Sequence, residues 1–447
     1  MRRLLNSFLL TALLLPATTK AQNENGAIEL SLDDAMKLAV QNSVQSKNAR
    51  LDILKQRAIN NEVTGIAYPN ISAKGEFNDY INPIQSFVPA EFIGGPSGTF
   101  VAVPFTPKFS STASVSGSQL LFDGSVMVAL QARKALLKLY EQASKLTNEE
   151  VRYNMHIAYN SLVVANKQYE ILKETIGYAR KMIDDNKELY KAGFIEKIEL
   201  DRTTVNLNNL ASDSLKLHNA LVVNEQMLKY LMGLPNEQQI ALTDTSLNDQ
   251  FTDAASLLLG EVDYMDRTDF NLLITELELN KYDLKRHRLS ALPQLAAFGT
   301  AAYTYSTNSF NNVFNQQYIF YSLVGLQLNV PIFDGWQRRS RVKQAKISVQ
   351  QTQNKIDYLK LGIDFEKNSS KTTLKNALLT MNNQKRNLDL ANNVLRLAKA
   401  KYDAGVGSNT EVSLAQTNQL AAQNNYFQSL LEVVNAQAKL KKALGEF

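Results

Sequence analysis

The chain has 447 residues, 45% of them hydrophobic and 20% charged, with a formal net charge of +5 and no cysteine. The lack of cysteine excludes disulfides, a thiolate metal site and a lipid on an N-terminal cysteine. Lys and Arg alternate with Asp and Glu along helical patterns, so the charges give no indication of a nucleic-acid-binding surface.

The first 21 residues have the composition of a signal peptide. Arg2 and Arg3 precede an apolar run from Leu4 to Leu15, and Ala21 ends a segment suited to cleavage. The apolar run is shorter than the roughly 20 residues of a spanning helix. We therefore expect residues 1–21 to be removed, which leaves an exported chain that is close to neutral and has no helical anchor.

The remaining sequence contains an internal repeat. Three motifs of the first half return about 210 residues later in the second: Leu121-Phe122-Asp123-Gly124 as Ile332-Phe333-Asp334-Gly335, Leu189-Tyr190-Lys191-Ala192-Gly193 as Lys401-Tyr402-Asp403-Ala404-Gly405, and Leu231-Met232-Gly233 as Ala443-Leu444-Gly445. Motifs kept in register at this distance indicate duplicated structural units. We predict a first repeat at 22–233, a linker at 234–260 and a second repeat at 261–447.

Each repeat changes periodicity in the same order along the chain. In the first, Ser31 is the expected N-cap of a helix that continues to about Ala67. The predicted elements that follow are strand 70–82, an exposed loop with four prolines at 83–105, strand 108–122, helix 125–191 and helix 195–232. The second repeat has a helix before Pro293, strands 294–306 and 318–333 around a loop near 307–316, and helices 336–403 and 407–444.

Period-two alternation gives the strands one apolar and one polar face. In strand 108–122 the polar face is a row of small hydroxyls: Ser110, Thr112, Ser114, Ser116 and Ser118. A strand of this length can cross a bilayer at a tilt, with hydroxyls facing water and apolar side chains facing lipid. A soluble sheet buried on one side is the alternative interpretation.

The two long helices would each extend roughly 100 Å, a length typical of coiled coils rather than compact domains. Helix 195–232 carries leucines at heptad spacing, and helix 407–444 carries small residues at the equivalent spacing from Ala415 to Ala443. Four strands cannot close a membrane barrel, so several copies must share one. Three copies would give twelve strands and leave a lumen.

The paired Phe-Asp-Gly turns, the paired Tyr-x-Ala-Gly turns and the element order resemble those of the TolC family of outer-membrane efflux proteins. The resemblance covers essentially the whole mature chain. It implies a mainly α fold with membrane β-strands, in which long antiparallel helices form a periplasmic tunnel and a trimer closes a 12-stranded barrel. It also implies a homotrimer in the outer membrane of a Gram-negative cell.

The resemblance also directs attention to the Tyr-x-Ala-Gly turns. In the family these turns lie at the periplasmic tip, where adaptor proteins dock, which implies a docking role for Tyr190, Gly193, Tyr402 and Gly405 and for residues 189–200 and 401–412. The alternative is that these turns only end helices. In some relatives, acidic side chains six and nine residues after the glycine of the second turn form rings that narrow the tunnel aperture and favour cations. Glu199 and Glu411 occupy the sixth positions, whereas Arg202 and Leu414 occupy the ninth.

No catalytic or cofactor-binding constellation is evident. His156, His218 and His287 fall on different predicted helices without metal-ligand spacing, and we expect Asp123 and Asp334 to be turn or N-cap residues. The chain is therefore not expected to be an enzyme or to need a cofactor.

The expected function is the passive outer-membrane channel of a tripartite efflux or type I secretion system. Its partners would be two further copies, outer-membrane lipid, a periplasmic adaptor (membrane fusion) protein and an inner-membrane efflux pump or ABC transporter. A structural periplasmic coiled-coil protein without channel activity is the alternative, although it leaves the four strands without a purpose.

Overall fold

The computed structural model describes residues 27–243, 254–313 and 318–447. The predicted signal peptide lies outside these residues, as do parts of the predicted linker and of the loop near 307–316. Two compact units are present. One combines residues up to Ala49 with Lys145–Arg267 and Leu361–Phe447, and the other combines Arg50–Ser144 with Thr268–Lys360. Each unit thus takes segments from both repeats, so the repeats interleave.

The second of these units, here called the strand unit, contains a four-stranded antiparallel sheet in the order β2-β5-β7-β8. The strands are β2 (Asn70–Asp79), β5 (Phe109–Phe122), β7 (Gln294–Thr307) and β8 (Ile319–Asn329). The repeats therefore meet where β5 pairs with β7. Within the described residues, β2 and β8 each have one edge without a partner strand.

The register of the sheet gives it one hydroxyl-rich and one apolar face. Thr112 pairs with Thr304, and their hydroxyl oxygens lie 3.0 Å apart. Ser116 and Thr300 repeat this contact at 3.1 Å. The opposite face carries apolar side chains that are largely exposed: Ile71, Val115, Phe320, Val324, Leu326 and Leu328. Apolar side chains left open to this extent on a sheet face are suited to a lipid environment.

Two details of the strand unit differ from the sequence prediction. The loop predicted at 83–105 contains a hairpin of β3 (Gln85–Pro89) and β4 (Phe100–Pro104). Its prolines stand at the ends of these strands, where they break no ladder hydrogen bond. A bulge between Leu120 and Phe122 also shifts the register, so the alternation predicted for strand 108–122 does not continue to its end.

Helices that precede or follow these strands along the chain complete this unit. They are α2 (Val44–Gly65) from Arg50 onward, the first part of α3 (Gly124–Lys191), α6 (Thr268–Leu289) and the first part of α7 (Gln337–Asp403). Polar contacts join them, including Thr275 Oγ1 to Gln142 Oε1 at 2.7 Å and Asn280 Nδ2 to Thr352 Oγ1 at 2.8 Å. Gly124 allows a close approach, since an added Cβ would lie 2.7 Å from the Leu289 carbonyl oxygen.

The other unit, here called the helical unit, contains a small parallel pair of strands, β1 (Ile28–Leu30) and β6 (Ile240–Leu242). It also contains α1 (Leu32–Asn42), α4 (Lys197–Met232), α5 (Ala254–Leu259) and α8 (Asn409–Leu444), besides the remaining parts of α3 and α7. Among the described residues, no helix has both the length and the apolar character needed to cross a membrane.

Several apolar clusters stabilise the helical unit, and the two with the most residues join its long helices to their neighbours. Tyr159 and Met155 of α3 pack with Leu228 of α4, and the Tyr159 hydroxyl donates to the Leu30 carbonyl at 2.8 Å. The second cluster joins α7 to α8 through Leu374, Val433 and Leu440. Several small heptad residues of α8 are buried as predicted: Ala415, Ser429, Ala436 and Ala443. Short side chains permit close approach of neighbouring helices.

The prediction of a single helix that continues to about Ala67 is wrong. Ser43 leaves helical geometry, with ψ of 143°, and separates α1 from α2. The predicted N-cap is correct, because the Ser31 hydroxyl accepts the Asp34 backbone N–H at 3.1 Å. The Phe-Asp-Gly carboxylates are also caps, since Asp123 accepts the Ser125 N–H at 2.7 Å and Asp334 accepts the Arg338 N–H at 2.8 Å.

Candidate functional site

The Tyr-x-Ala-Gly segments form two turns with the same backbone, both within the helical unit. The φ angles are +79° at Gly193 and +76° at Gly405, in the left-handed region that favours glycine. The Phe194 N–H donates to the Leu189 carbonyl at 2.9 Å, which is a Schellman helix end. The Val406 N–H donates to the Lys401 carbonyl in the same way, at 3.0 Å.

The two turns differ in the side chains they expose. The first presents Phe194 and Ile198, and the second presents Val406, whose exposed fraction is 80%. Tyr190 is half-exposed, whereas the Tyr402 hydroxyl donates to Asn186 Oδ1 at 2.8 Å. The two tyrosines of the predicted site therefore have different environments, although they occupy equivalent positions.

A polar network joins the two turn regions. Asn186 Nδ2 donates to the Thr203 hydroxyl at 2.9 Å, and Asn409 Nδ2 lies 3.2 Å from that same hydroxyl. Asn186, Thr203 and Asn409 are all buried. Buried amides and hydroxyls are costly unless they are hydrogen-bonded, so this network fixes the mutual position of α3, α4, α7 and α8 near the turns.

The two candidate aperture acids are placed differently. The Glu199 carboxylate accepts from Asn409 Nδ2 at 3.0 Å and pairs with Arg202 at 3.1 Å, and only 24% of its side chain is exposed. Arg202 also donates to the Thr410 hydroxyl at 2.9 Å. Glu411 is exposed at the start of α8, where its backbone N–H is capped by Ser408. The structure thus ties Glu199 into the network and leaves Glu411 facing solvent.

The network also changes the acidity of Tyr402. Burial raises the pKa of its phenol above the ordinary value of 10, and the negative charges of Asp185, Glu199 and Asp403 raise it further. The phenol therefore stays protonated and able to donate across the neutral range.

The sequence analysis did not identify Asn186, Thr203 or Asn409. A signal for Asn186 was present, because Ile176, Ala179 and Ile183 continue to it at helical spacing and are buried. A polar residue within such an apolar stripe marks a specific contact rather than a solvated face. Among the described residues, no group of three or more His, Asp or Glu could hold a metal ion.

Comparison with known proteins assigns this architecture. The family model described as outer membrane efflux protein matches residues 273–446. Residues 273–446 thus have the sequence pattern of outer membrane efflux proteins. This match falls on the second repeat, and the matched family is one of membrane channels. The chain is therefore similar to outer-membrane channels in both sequence and fold.

Individual relatives agree with this assignment. The alkaline protease secretion protein AprF of Pseudomonas aeruginosa is 20% identical over 347 residues, which are 75% of this chain and 70% of AprF. The outer membrane protein VceC of Vibrio cholerae has a similar fold, with a TM-score of 0.69 at 15% identity, covering 93% of this chain and 96% of VceC. The Campylobacter jejuni CmeC outer membrane channel has a similar fold as well, with a TM-score of 0.68 at 18% identity, covering 93% of this chain and 86% of CmeC.

Proposed function

We propose that three copies of this chain form a continuous duct that spans the outer membrane and the periplasm and exports cargo delivered from the inner membrane. The duct adds neither chemistry nor energy to transport. The supporting observation is the four-stranded sheet: it has a hydroxyl-rich face, an exposed apolar face and, among the described residues, two edges without a partner strand, as one segment of a closed membrane barrel would have.

The edges provide the argument for several copies. Each backbone N–H or C=O left unpaired in lipid costs several kcal/mol, so β2 of one copy must pair with β8 of the next. Two copies would supply eight strands, whose inward side chains fill the interior, whereas three supply twelve and leave room for a pore. The Ser/Thr-rich face would line that pore.

The turn segments 189–200 and 401–412 are the proposed docking site for a periplasmic adaptor, which would connect the duct to an inner-membrane efflux pump or ABC transporter. Exposed Phe194, Ile198 and Val406 support this role, because apolar side chains at the rim of a helix pair are typical anchors of protein interfaces. The secretion role in AprF's name supports a partner of the secretion class.

The duct is tested by conductance of the purified chain in planar bilayers. We expect stable single channels, and a chain that gives none would contradict the proposal. The docking site is tested separately with photocrosslinkers on Phe194→Cys and Val406→Cys, because the chain has no native cysteine. Adaptor and pump should be recovered from cells with these variants and not with the control Lys385→Cys. Equal recovery with the control would overturn the docking site.

A further inference from the structure

The segment that follows β8 presents aromatic side chains to solvent. Phe333 is 72% exposed and Trp336 is 63% exposed, and their rings meet edge to face at 5.9 Å. Trp336 has a φ of +66°, a conformation that is uncommon for a bulky side chain and costs about 1 kcal/mol or more. The turn therefore holds an indole ring outward in a strained conformation.

The start of α7 adds positive charge directly after these aromatics. Five basic residues, here called the basic segment, follow Asp334 up to Lys346 with no acid among them: Arg338, Arg339, Arg341, Lys343 and Lys346. Within the described part of the chain, none of the five forms an ion pair with a carboxylate. The Arg339 guanidinium lies 5.5 Å from the centre of the Trp336 ring.

The first repeat shows that this charge is not a requirement of the turn. After the equivalent Asp123-Gly124, the chain continues with Ser125 and an apolar stretch, and its first basic residue is Arg133. Both aspartates accept from the first turn of the helix that follows, Asp123 from the Ser125 and Val126 N–H groups and Asp334 from the Arg338 N–H. The aromatic and basic residues of the second repeat therefore serve something other than the strand-to-helix connection.

We propose that Trp336 and the basic segment bind the headgroups of anionic phospholipids in the periplasmic leaflet of the outer membrane. This inference rests on the proposed function, since it requires β8 to cross that membrane. An indole at the end of a membrane strand lies at the level of the headgroups. The planar arginine fork suits phosphate oxygens, and arginines that lack a carboxylate partner remain available for them.

The single tryptophan of the chain allows a direct test, because all indole fluorescence comes from Trp336. The full chain would be reconstituted in phosphatidylcholine vesicles that contain equal fractions of either brominated phosphatidylglycerol or brominated phosphatidylcholine. We expect the anionic brominated lipid to quench Trp336 more strongly, and high salt to weaken the preference. Equal quenching by the two lipids, or no quenching by either, would overturn the proposal.

Substitutions assign the preference to the basic segment. Replacing Arg338, Arg339 and Arg341 together by Gln should lower the preference for the anionic lipid roughly five-fold or more, because each basic residue near an anionic surface adds to the attraction. The control replaces Lys375, Lys385 and Arg386 of the same helix by Gln, which removes the same charge and should leave the preference unchanged. Equal effects of both variants would contradict the proposal. Channel conductance in the same vesicles reports failure of the proposed function separately.

Discussion

The two turn regions share one backbone and differ in their interiors. Positions 212 residues apart can be compared directly, because the repeats remain in register through the turns. The three buried residues of the network have apolar or charged counterparts in the other repeat: Asn186 corresponds to Ala398, Thr203 to Ala415 and Asn409 to Lys197. Only one of two equivalent sites thus carries the network.

This difference shows which features of a duplicated fold are fixed by the chain path and which are free to specialise. The left-handed glycine is required in both turns, because no other residue adopts that conformation at similar cost. The residues beneath the turn meet no such requirement. At one of the two equivalent sites, residues of both repeats form hydrogen bonds, whereas Ala398 and Ala415 at the other site are small and apolar.

The largest expected effect comes from removing the centre of the network. Asn186→Leu removes the acceptor of the Tyr402 phenol, at about 1–3 kcal/mol for the unsatisfied group, whereas the Thr203 hydroxyl keeps its contacts with the Glu199 carbonyl and Asn409. Hydrogen exchange should become faster in residues 186–203 and 402–412, and channel conductance should rise. The counterpart change Ala398→Ser should have a much smaller effect. Similar exchange in both variants would show that the two sites are equivalent after all.

The next largest effect is a pH dependence of stability, which we expect at His156 and not at its counterpart Asn368. Burial, with the nearby charge of Lys441, lowers the pKa of His156 to about 4. A histidine whose folded pKa is depressed stabilises the fold above its unfolded pKa of 6.5 and loses this stabilisation as the pH falls toward 4. Between pH 7 and 5 the loss should be about 2 kcal/mol. Local opening measured by hydrogen exchange should show this slope, and His156→Gln should flatten it. A slope unchanged in His156→Gln would contradict the assignment.

The glycine turns should respond equally. Gly193→Ala and Gly405→Ala add a Cβ that meets no atom within 4 Å, so each cost comes from the backbone conformation alone. We expect about 1–2 kcal/mol for both. Thermal midpoints of the two variants should therefore fall by similar amounts. A clear inequality would mean that the turns do not share one conformation in the assembled protein.

The smallest expected effects come from neutralising Glu411 and Glu199, and they should differ in kind. Exposed Glu411→Gln should lower the preference of the channel for cations by about two-fold, as expected for one charge acting across water at close range. Glu199→Gln should instead weaken the contact with Asn409 and speed local exchange. Reversal potentials in a salt gradient measure the first effect. No change of reversal potential in Glu411→Gln would remove the aperture hypothesis.

Much of the fold could be predicted from the sequence, because the long helices and strands have strong periodicity. Helices predicted at 125–191 and 336–403 correspond to Gly124–Lys191 and Gln337–Asp403. The break at Ser43 could not be predicted, since neither proline nor glycine marks it. The strands β1 and β6 were missed because three residues are too few to show a period, and their pairing joins distant parts of the chain.

Only part of the candidate site could be predicted from the sequence. The glycines and tyrosines of the turns stand in a repeated motif, whereas Thr203 and Asn409 act through contacts between helices far apart in the chain. Pair contacts of this kind depend on how helices pack, which a single sequence does not specify.

The central claim is that three chains share one barrel, and the mass of the assembled protein tests it most directly. Native mass spectrometry of the mature chain, released from detergent, should give a single species of three copies. A stable monomer, soluble in water without detergent, would contradict the account.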